Sequence, residues 1–169
     1  MLSRMADNLY WLSRYTERAE NLARILDVAQ RMAALPSAYA GSSNEWESAI
    51  AAAACVEGFK AVHPAATREN VISYIVEAEA NPSSIRACIE TARSNARGVR
   101  TAITSEMWEI LNDAWNDMRG LNLKRMSPGE ITNFLNSVKQ TSLRFDGAAY
   151  RTMLRSDQYW FQRLGTFLQ

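Results

Sequence analysis

Apolar side chains recur at steps of three and four residues along almost the whole chain, and this spacing is the strongest constraint on its fold. Such spacing places apolar residues on one face of an α-helix. The clearest run lies in a first helix predicted at residues 3–32 and consists of Met5, Leu9, Leu12, Ala19, Leu22, Ala23 and Leu26. No segment shows the turn-bounded alternation of apolar and polar residues that is typical of strands. We therefore predict an all-α helical bundle or array of about six to seven helices, with no sheet.

Turn and capping residues divide this pattern into segments. A capping-box sequence at residues 42–45 opens the second helix, and Gly120 is a stop signal for a later one. Ser127 and Glu130 form a further capping box, with Pro128 at the first helical position. The predicted helices after the first are 44–62, 67–76, 84–103, 105–119 with Ser105 as its cap, 127–155 and a last segment from 156. No linker interrupts them, which predicts a single domain over residues 1–169.

Composition and charge exclude several functional classes. The formal net charge is +1, so no overall field attracts nucleic acid or an anionic membrane. The longest apolar run, residues 49–56, is far shorter than the roughly 20 residues that cross a bilayer. The N-terminus lacks the apolar core of a signal peptide. Cys55 and Cys88 lie far apart and outside any metal or disulfide spacing, and are interpreted as small buried side chains. These features predict a cytoplasmic protein without nucleic-acid or membrane partners.

Two polar stripes also follow helical spacing. The first lies opposite the apolar side of the first helix and contains Tyr10, Arg14, Glu17, Asn21 and Arg24. The second lies in segment 84–103 and contains Arg86, Glu90, Arg93, Arg97 and Arg100. The guanidinium groups in the second stripe have a planar fork of donors that suits carboxylates and phosphates. The stripes are therefore compatible with solvated faces, with an Arg–Glu lattice between two helices, or with an anion-binding groove.

The lattice is the structural interpretation that we favour, because the second stripe has four arginines and only one glutamate. It places Leu12 and Ala19 in the core and turns Glu17 towards the arginine-bearing helix. We predict that Glu17 is buried and paired with Arg93 or Arg97. Glu17→Gln would then cost roughly 3–5 kcal/mol by leaving a buried charge without its partner.

Few residues suggest catalysis. The chain has a single histidine, His63, which precedes a proline and is not part of a triad or a di-metal motif. Neither a phosphate-binding loop nor a dinucleotide-binding glycine motif is present, so we predict no cofactor and no metal. Glu17 is the one candidate general base, and no signal in the sequence marks a raised pKa for it.

Three stretches resemble a known family. Residues 10–28, YWLSRYTERAENLARILDV, resemble the opening of the bacterial alpha-E domain family, which is named for its helices and a Glu-Arg pair. That pair corresponds to Glu17 and Arg18. Residues 81–112 are similar to a second, arginine-rich signature of the family, with Ser94 where a glutamate is common.

A third stretch, residues 145–169, resembles the region that leads into a second Glu-Arg motif of the family. Here the chain departs from the family pattern at Thr166 and Gln169. We therefore expect an alpha-E protein that lacks the C-terminal half of the family. A helical array without its later helices would expose an apolar face, which predicts self-association or a marginal fold.

The resemblance implies a role but no reaction. Members are helical proteins often encoded beside ATP-grasp and transglutaminase-like proteins, which implies a part in making or modifying a peptide or peptide tag. One hypothesis is a non-catalytic interaction module that docks an ATP-grasp-type ligase or a transglutaminase-like protein.

The alternative hypothesis is a ligand-binding or enzymatic domain whose Glu/Arg groove holds a carboxylate- or phosphate-bearing substrate, with Glu17 as the base. The residues of that groove would be Arg14, Glu17, Arg18, Asn21, Arg93, Asn95, Arg97 and Arg100. We favour the first hypothesis because the sequence shows no nucleophile, metal cluster or phosphate loop.

Overall fold

The computed structural model describes residues 3–35 and 44–168 of the chain. Within these residues the protein forms eight α-helices and one short 3-10 helix, without strands. The α-helices are α1 (Ser3–Ala33), α2 (Glu45–Ala52), α3 (Val56–Val62), α4 (Arg68–Val76), α5 (Ile85–Gly98), α6 (Ser105–Arg119), α7 (Pro128–Thr152) and α8 (Asp157–Phe167). The all-α prediction is confirmed, and the number of helices in the described residues is slightly higher than the six to seven predicted.

The additional helix arises because the predicted segment 44–62 is divided into α2 and α3. Ala54 has a φ of 53°, in the left-handed region that ends helices. Left-handed residues at such positions are usually glycine, so the alanine gave no sequence signal for a break. The α2 cap is Asn44, whose Oδ1 accepts the N–H of Trp46 at 2.9 Å. The first two residues of the predicted capping box at 42–45 lie outside the described residues.

Most other helix ends match the sequence signals. Glu130 Oε2 accepts the Ser127 N–H at 2.7 Å in the predicted capping box, and Gly120 follows the last residue of α6. Two predicted ends were too late, because α5 stops at Gly98 instead of 103 and α7 at Thr152 instead of 155. Val99, Ala102 and Ile103, which follow α5, are still buried, so the apolar pattern continues beyond the helix. The α6 cap is Thr104, one residue before the predicted Ser105.

α1 is the central element of the fold. Its 31 residues lie against α5, α7, α8 and α2. The apolar side chains of α1 contribute to two core clusters. Leu9 and Leu12 pack with the second half of α5 and with α6, while Leu22 and Leu26 pack with α2, α4 and α7. Leu12 is 0% exposed and Ala19 is 2% exposed, which confirms the predicted core face.

α8 crosses α1 at a very short separation, and Gly165 makes this crossing possible. A Cβ atom added at Gly165 would overlap the carbonyl oxygen of Tyr10 and lie 3.0 Å from the Cβ of Ser13. The crossing also buries polar groups, because Ser13 Oγ and both amide atoms of Gln162 find no hydrogen-bond partner among the described residues. An unpaired buried polar group costs roughly 1–3 kcal/mol. At this crossing α8 is therefore held on α1 by close contact rather than by hydrogen bonds of the buried side chains.

This crossing predicts that Gly165→Ala destabilises the protein. The new methyl group would press on the backbone of α1, which cannot move aside as a flexible side chain would. Overpacking of this kind typically costs roughly 1–3 kcal/mol. Urea unfolding should show the loss, and hydrogen exchange should localise it to α8.

Gly147→Ala is the matched control, since Gly147 lies inside α7 and a Cβ there meets no atom within 4 Å. We expect a gain of about 0.5–1 kcal/mol from helix propensity alone. An equal response of the two variants would contradict the close α1–α8 crossing.

Candidate functional site

The Glu-Arg pair at positions 17 and 18 lies in the middle of α1, and its two side chains face different neighbours. Glu17 is half-buried on the side of α7 and α8, where Asp146 and Arg163 act on its charge. Arg18 faces the loop before α5, where its Nη1 donates a hydrogen bond to Ser83 Oγ at 3.1 Å. The divergence follows from helix geometry, because successive residues are separated by about 100° around the axis.

Glu17 has an unusual electrostatic environment. Its pKa is raised, first by burial and then by the nearby carboxylates of Glu20 and Asp146. Arg24 and Arg163 oppose the shift, but each is already engaged: Arg24 pairs with Glu20, and Arg163 pairs with Asp146. Within the described residues, Glu17 itself forms no ion pair. The site therefore places three carboxylates close together.

The arginines of the second predicted stripe have different neighbours, and two of them lie against α6. Arg93 Nε donates to Asn112 Oδ1 at 3.0 Å, and its guanidinium lies 5.4 Å from the ring centroid of Trp108. Arg100 lies over the same ring at 5.2 Å. Arg86 pairs with Glu77 at 3.2 Å, Arg97 is exposed to solvent, and Asn95 donates only to Thr91 O within its own helix. For Arg93 and Arg100, cation–π contacts with Trp108 thus replace the acidic partners that the sequence suggested, whereas Arg86 has an acidic partner outside α1.

The predicted pairing of Glu17 with Arg93 or Arg97 is therefore wrong. The contact between α1 and α5 is made by apolar residues, among them Leu12, Ala92 and Ala96. The predicted stripe residues do not converge on one groove. Arg14 instead donates to the carbonyl oxygen of Leu168 at the end of α8, while Asn21 and Arg18 lie along a cavity on another side of α1.

The main ion-pair network of α1 was not anticipated from the sequence. Asp27 is 8% exposed and accepts from Lys139 Nζ of α7 at 2.9 Å and from Arg31 Nη2 at 3.0 Å. Burial acts to raise the Asp27 pKa, but the hydrogen bonds and charges of Lys139 and Arg31 outweigh it and lower the pKa. Asp27 and Arg31 are four residues apart on one helix, so their ion pair could be predicted from the sequence. The cross-helix partner, Lys139, is 112 positions away in sequence, and no local spacing indicates that contact.

Large apolar side chains are exposed on α7, on α8 and in the residues that follow each of these helices. We call this set the α7–α8 apolar face, and it consists of Leu143, Tyr150, Leu154, Trp160, Phe161, Leu164, Phe167 and Leu168. Trp160 is 60% exposed and Phe167 is 70% exposed, which is unusual for aromatic side chains of this size. Exposed apolar residues that are grouped in this way mark interaction sites more often than single exposed residues do.

Charged residues join the two halves of this face. The ion pair between Asp146 of α7 and Arg163 of α8 lies one helical turn from Leu143 and Tyr150, and one turn from Trp160 and Phe167. Arg163 also lies over the ring of Phe167, at 4.6 Å from its centroid. The exposed residues Arg144, Arg151 and Arg155 add positive charge along the α7 side. The face thus combines an apolar centre with a basic rim.

The fold and these contacts define an all-helical protein organised around a central helix that carries one Glu-Arg pair. The sequence profile of the Alpha-E family, described as a predicted alpha-helical domain with a conserved ER motif, matches residues 1–169. The chain therefore belongs to the Alpha-E family, and Glu17-Arg18 is the one Glu-Arg dipeptide in its sequence. No curated protein and no solved structure matches it. None of the helices in the described ranges has the length and apolar character required to cross a membrane.

The environment of Glu17 reverses the expected effect of its substitution. The pKa of the Glu17 carboxyl is raised in the folded state from its ordinary value of 4.5. The protein therefore loses stability as the pH rises from 4.5 through the folded pKa, because the folded state holds this proton more tightly than the unfolded state. Glu17→Gln removes that loss. At pH 7 we expect Glu17→Gln to be at least as stable as the wild type, or to lose at most about 0.5 kcal/mol of unfolding free energy. Urea unfolding between pH 4.5 and 7 tests this, and a loss of several kcal/mol would restore the buried ion-pair interpretation.

Asp27→Asn should behave in the opposite way. It leaves the ammonium group of Lys139, whose side chain is 15% exposed, without its carboxylate partner. We expect a loss of roughly 3 kcal/mol at pH 7, the lower end of the range for buried pairs. Because the Asp27 pKa is lowered from 3.8, the difference should persist above that pH and narrow as the pH falls through the folded pKa. A pH-independent difference would contradict the ion-pair assignment.

Proposed function

We propose that this Alpha-E protein is a non-catalytic interaction module that docks an ATP-grasp-type ligase through the α7–α8 apolar face. The observation that supports the proposal is the exposure of Trp160, Phe161 and Phe167 on one side of α8. Aromatic side chains of this kind supply much of the binding energy in protein interfaces. The type of partner follows from the resemblance, which implies a role in the synthesis or modification of a peptide.

The charge around the face specifies the chemistry of the partner surface. Arg144, Arg151 and Arg155 form a basic rim, so the complementary surface has an apolar centre with acidic residues around it. The packing of α8 on α1 supports the same interpretation, because it leaves the apolar side of α8 uncovered. A partner bound to that side would bury the apolar side chains of α8 that are exposed in this chain, which is favourable.

The polar residues near Glu17 have structural roles that fit a docking module. Arg163 connects α8 to α7 through Asp146, and Arg14 binds the carbonyl oxygen of Leu168. Both contacts hold α8 in a defined position on the bundle. A fixed helix presents its exposed side chains in one arrangement, which lowers the entropic cost of binding.

The test is binding to an ATP-grasp-type ligase from the same genome. We expect saturable binding by calorimetry, and a complex of defined stoichiometry by light scattering. The double variant Trp160→Glu/Phe167→Glu should weaken binding at least about tenfold, because interface hot spots typically contribute 2 kcal/mol or more. Raising the salt concentration should weaken it further through screening of the basic rim.

Val62→Glu is the matched control, since Val62 is also an exposed apolar residue, 48% accessible, but belongs to α3. It should bind the ligase within about twofold of the wild type, as expected of a surface change outside an interface. Equal weakening by the control and the double variant would contradict the assignment of the face. Self-association of the chain that the double variant abolishes, without ligase binding, would assign the face to a second copy instead.

A further inference from the structure

A cavity of about 800 Å³ lies between α1, the turn that joins α2 to α3, and the loop before α5. α1 lines it with Arg18, Asn21 and Ile25, and the opposite wall includes Cys55 and Tyr74. This volume falls within the roughly 300–1,000 Å³ that is typical of small-molecule sites. None of its lining residues belongs to the α7–α8 apolar face.

Arg18 is the main charged group of the cavity. Its Nη1 donates to Ser83 Oγ at 3.1 Å, and this contact directs the guanidinium towards the cavity wall. In residues 3–35 and 44–168, no carboxylate lies within ion-pair distance of Arg18. Arg24, which also lines the cavity, is paired with Glu20. A guanidinium has five donors, so Arg18 retains several for an anion.

Tyr74 supplies a second polar group without a partner. Its side chain is 2% exposed and packs against the rings of Phe59 and His63. The hydroxyl lies next to Gly58, where an added Cβ would be 2.5 Å from the hydroxyl oxygen. This hydroxyl forms no hydrogen bond with the described residues and is not one of the fully buried unpaired atoms. It is therefore accessible from the cavity, which both Tyr74 and Gly58 line.

The remaining walls provide one more donor and an apolar surface. Asn21 lies three residues after Arg18, on the same side of α1, and its side-chain amide forms no hydrogen bond with the described residues. Leu22, Ile25 and Pro82 contribute apolar area. Burial, and then the nearby Cys55, raise the pKa of Tyr74, so its hydroxyl remains a neutral donor at neutral pH. Three donors therefore face a partly apolar cavity.

We propose that this cavity binds a small organic monocarboxylate with an apolar body. The carboxylate accepts hydrogen bonds from Arg18, Asn21 and Tyr74, and the apolar body lies against Leu22 and Ile25. The guanidinium of Arg18 balances the single negative charge of a carboxylate, and its planar fork suits the two carboxylate oxygens. Asn21 and Tyr74 add neutral hydrogen-bond donors. A phosphate dianion would leave about one negative charge without a partner. Ligand binding in this cavity is a separate activity from the docking of a ligase. It depends on none of the residues of the α7–α8 apolar face.

The first experiment uses N-acetyl-L-leucine as the carboxylate probe and N-acetyl-L-leucinamide as its uncharged counterpart. In ¹H–¹⁵N spectra of the full chain, the carboxylate should shift the side-chain amide of Asn21 and the Nε–H of Arg18 saturably. The amide probe, at the same concentration, should not. No saturable shift by the carboxylate at about 10 mM, ten times a millimolar dissociation constant, would overturn the proposal.

Two variants test the assigned donors. Arg18→Gln should weaken binding at least about tenfold, because it removes the one uncompensated charge. Tyr74→Phe keeps the buried ring and removes only the hydroxyl, so it should weaken binding by about threefold to tenfold while the fold remains intact. The control is Arg119→Gln at the exposed end of α6, which should leave the dissociation constant within about twofold.

Three further outcomes would overturn the proposal. They are equal binding of the carboxylate and amide probes, equal weakening by Arg18→Gln and Arg119→Gln, and stronger binding of inorganic phosphate than of N-acetyl-L-leucine. Thermal unfolding of each variant shows whether a loss of binding reflects a loss of fold. Ligase binding by Trp160→Glu/Phe167→Glu is measured separately, so failure of the docking proposal and failure of this one are distinguishable.

Discussion

The arrangement of the fold depends on one constraint, which is that α1 is in contact with other helices around most of its circumference. Its apolar residues contribute to both core clusters, and α8 crosses it so closely that Gly165 lies against the backbone at Tyr10. Polar residues on different sides of such a helix therefore contact different parts of the protein. Two adjacent residues, Glu17 and Arg18, therefore belong to different parts of the protein, one beside α7 and α8 and the other beside a cavity.

Local sequence signals predicted the elements that local chemistry determines. Caps such as Ser127 with Glu130 act within one turn, and the apolar repeat of α1 identified Leu12 and Ala19 as core residues. The break at Ala54 was missed because alanine has the highest helix propensity and its left-handed conformation comes from the surrounding packing. The ends of α5 and α7 were missed because periodicity reports burial and not backbone conformation.

The candidate site was less predictable because helical spacing identifies a face but not the neighbour of that face. The predicted arginine stripe has no common neighbour, because Arg93 and Arg100 lie against Trp108 while Arg86 pairs with Glu77. The cross-helix pair of Asp27 and Lys139 required knowledge of how α1 and α7 align. The cavity around Tyr74 was equally hidden, since its walls come from four separate segments of the chain.

The positions of Glu17 and Arg18 also explain why a single Glu-Arg motif need not form a single site. The raised pKa of Glu17 comes mainly from burial and neighbouring acids, which are consequences of packing α7 and α8 on α1. Arg18, by contrast, has no acidic partner in the described residues and faces open volume. Neither side chain has an ion-pair partner among the described residues, but the two lie on different sides of α1. The motif thus joins a half-buried carboxyl beside α7 and α8 with an arginine that lines a cavity.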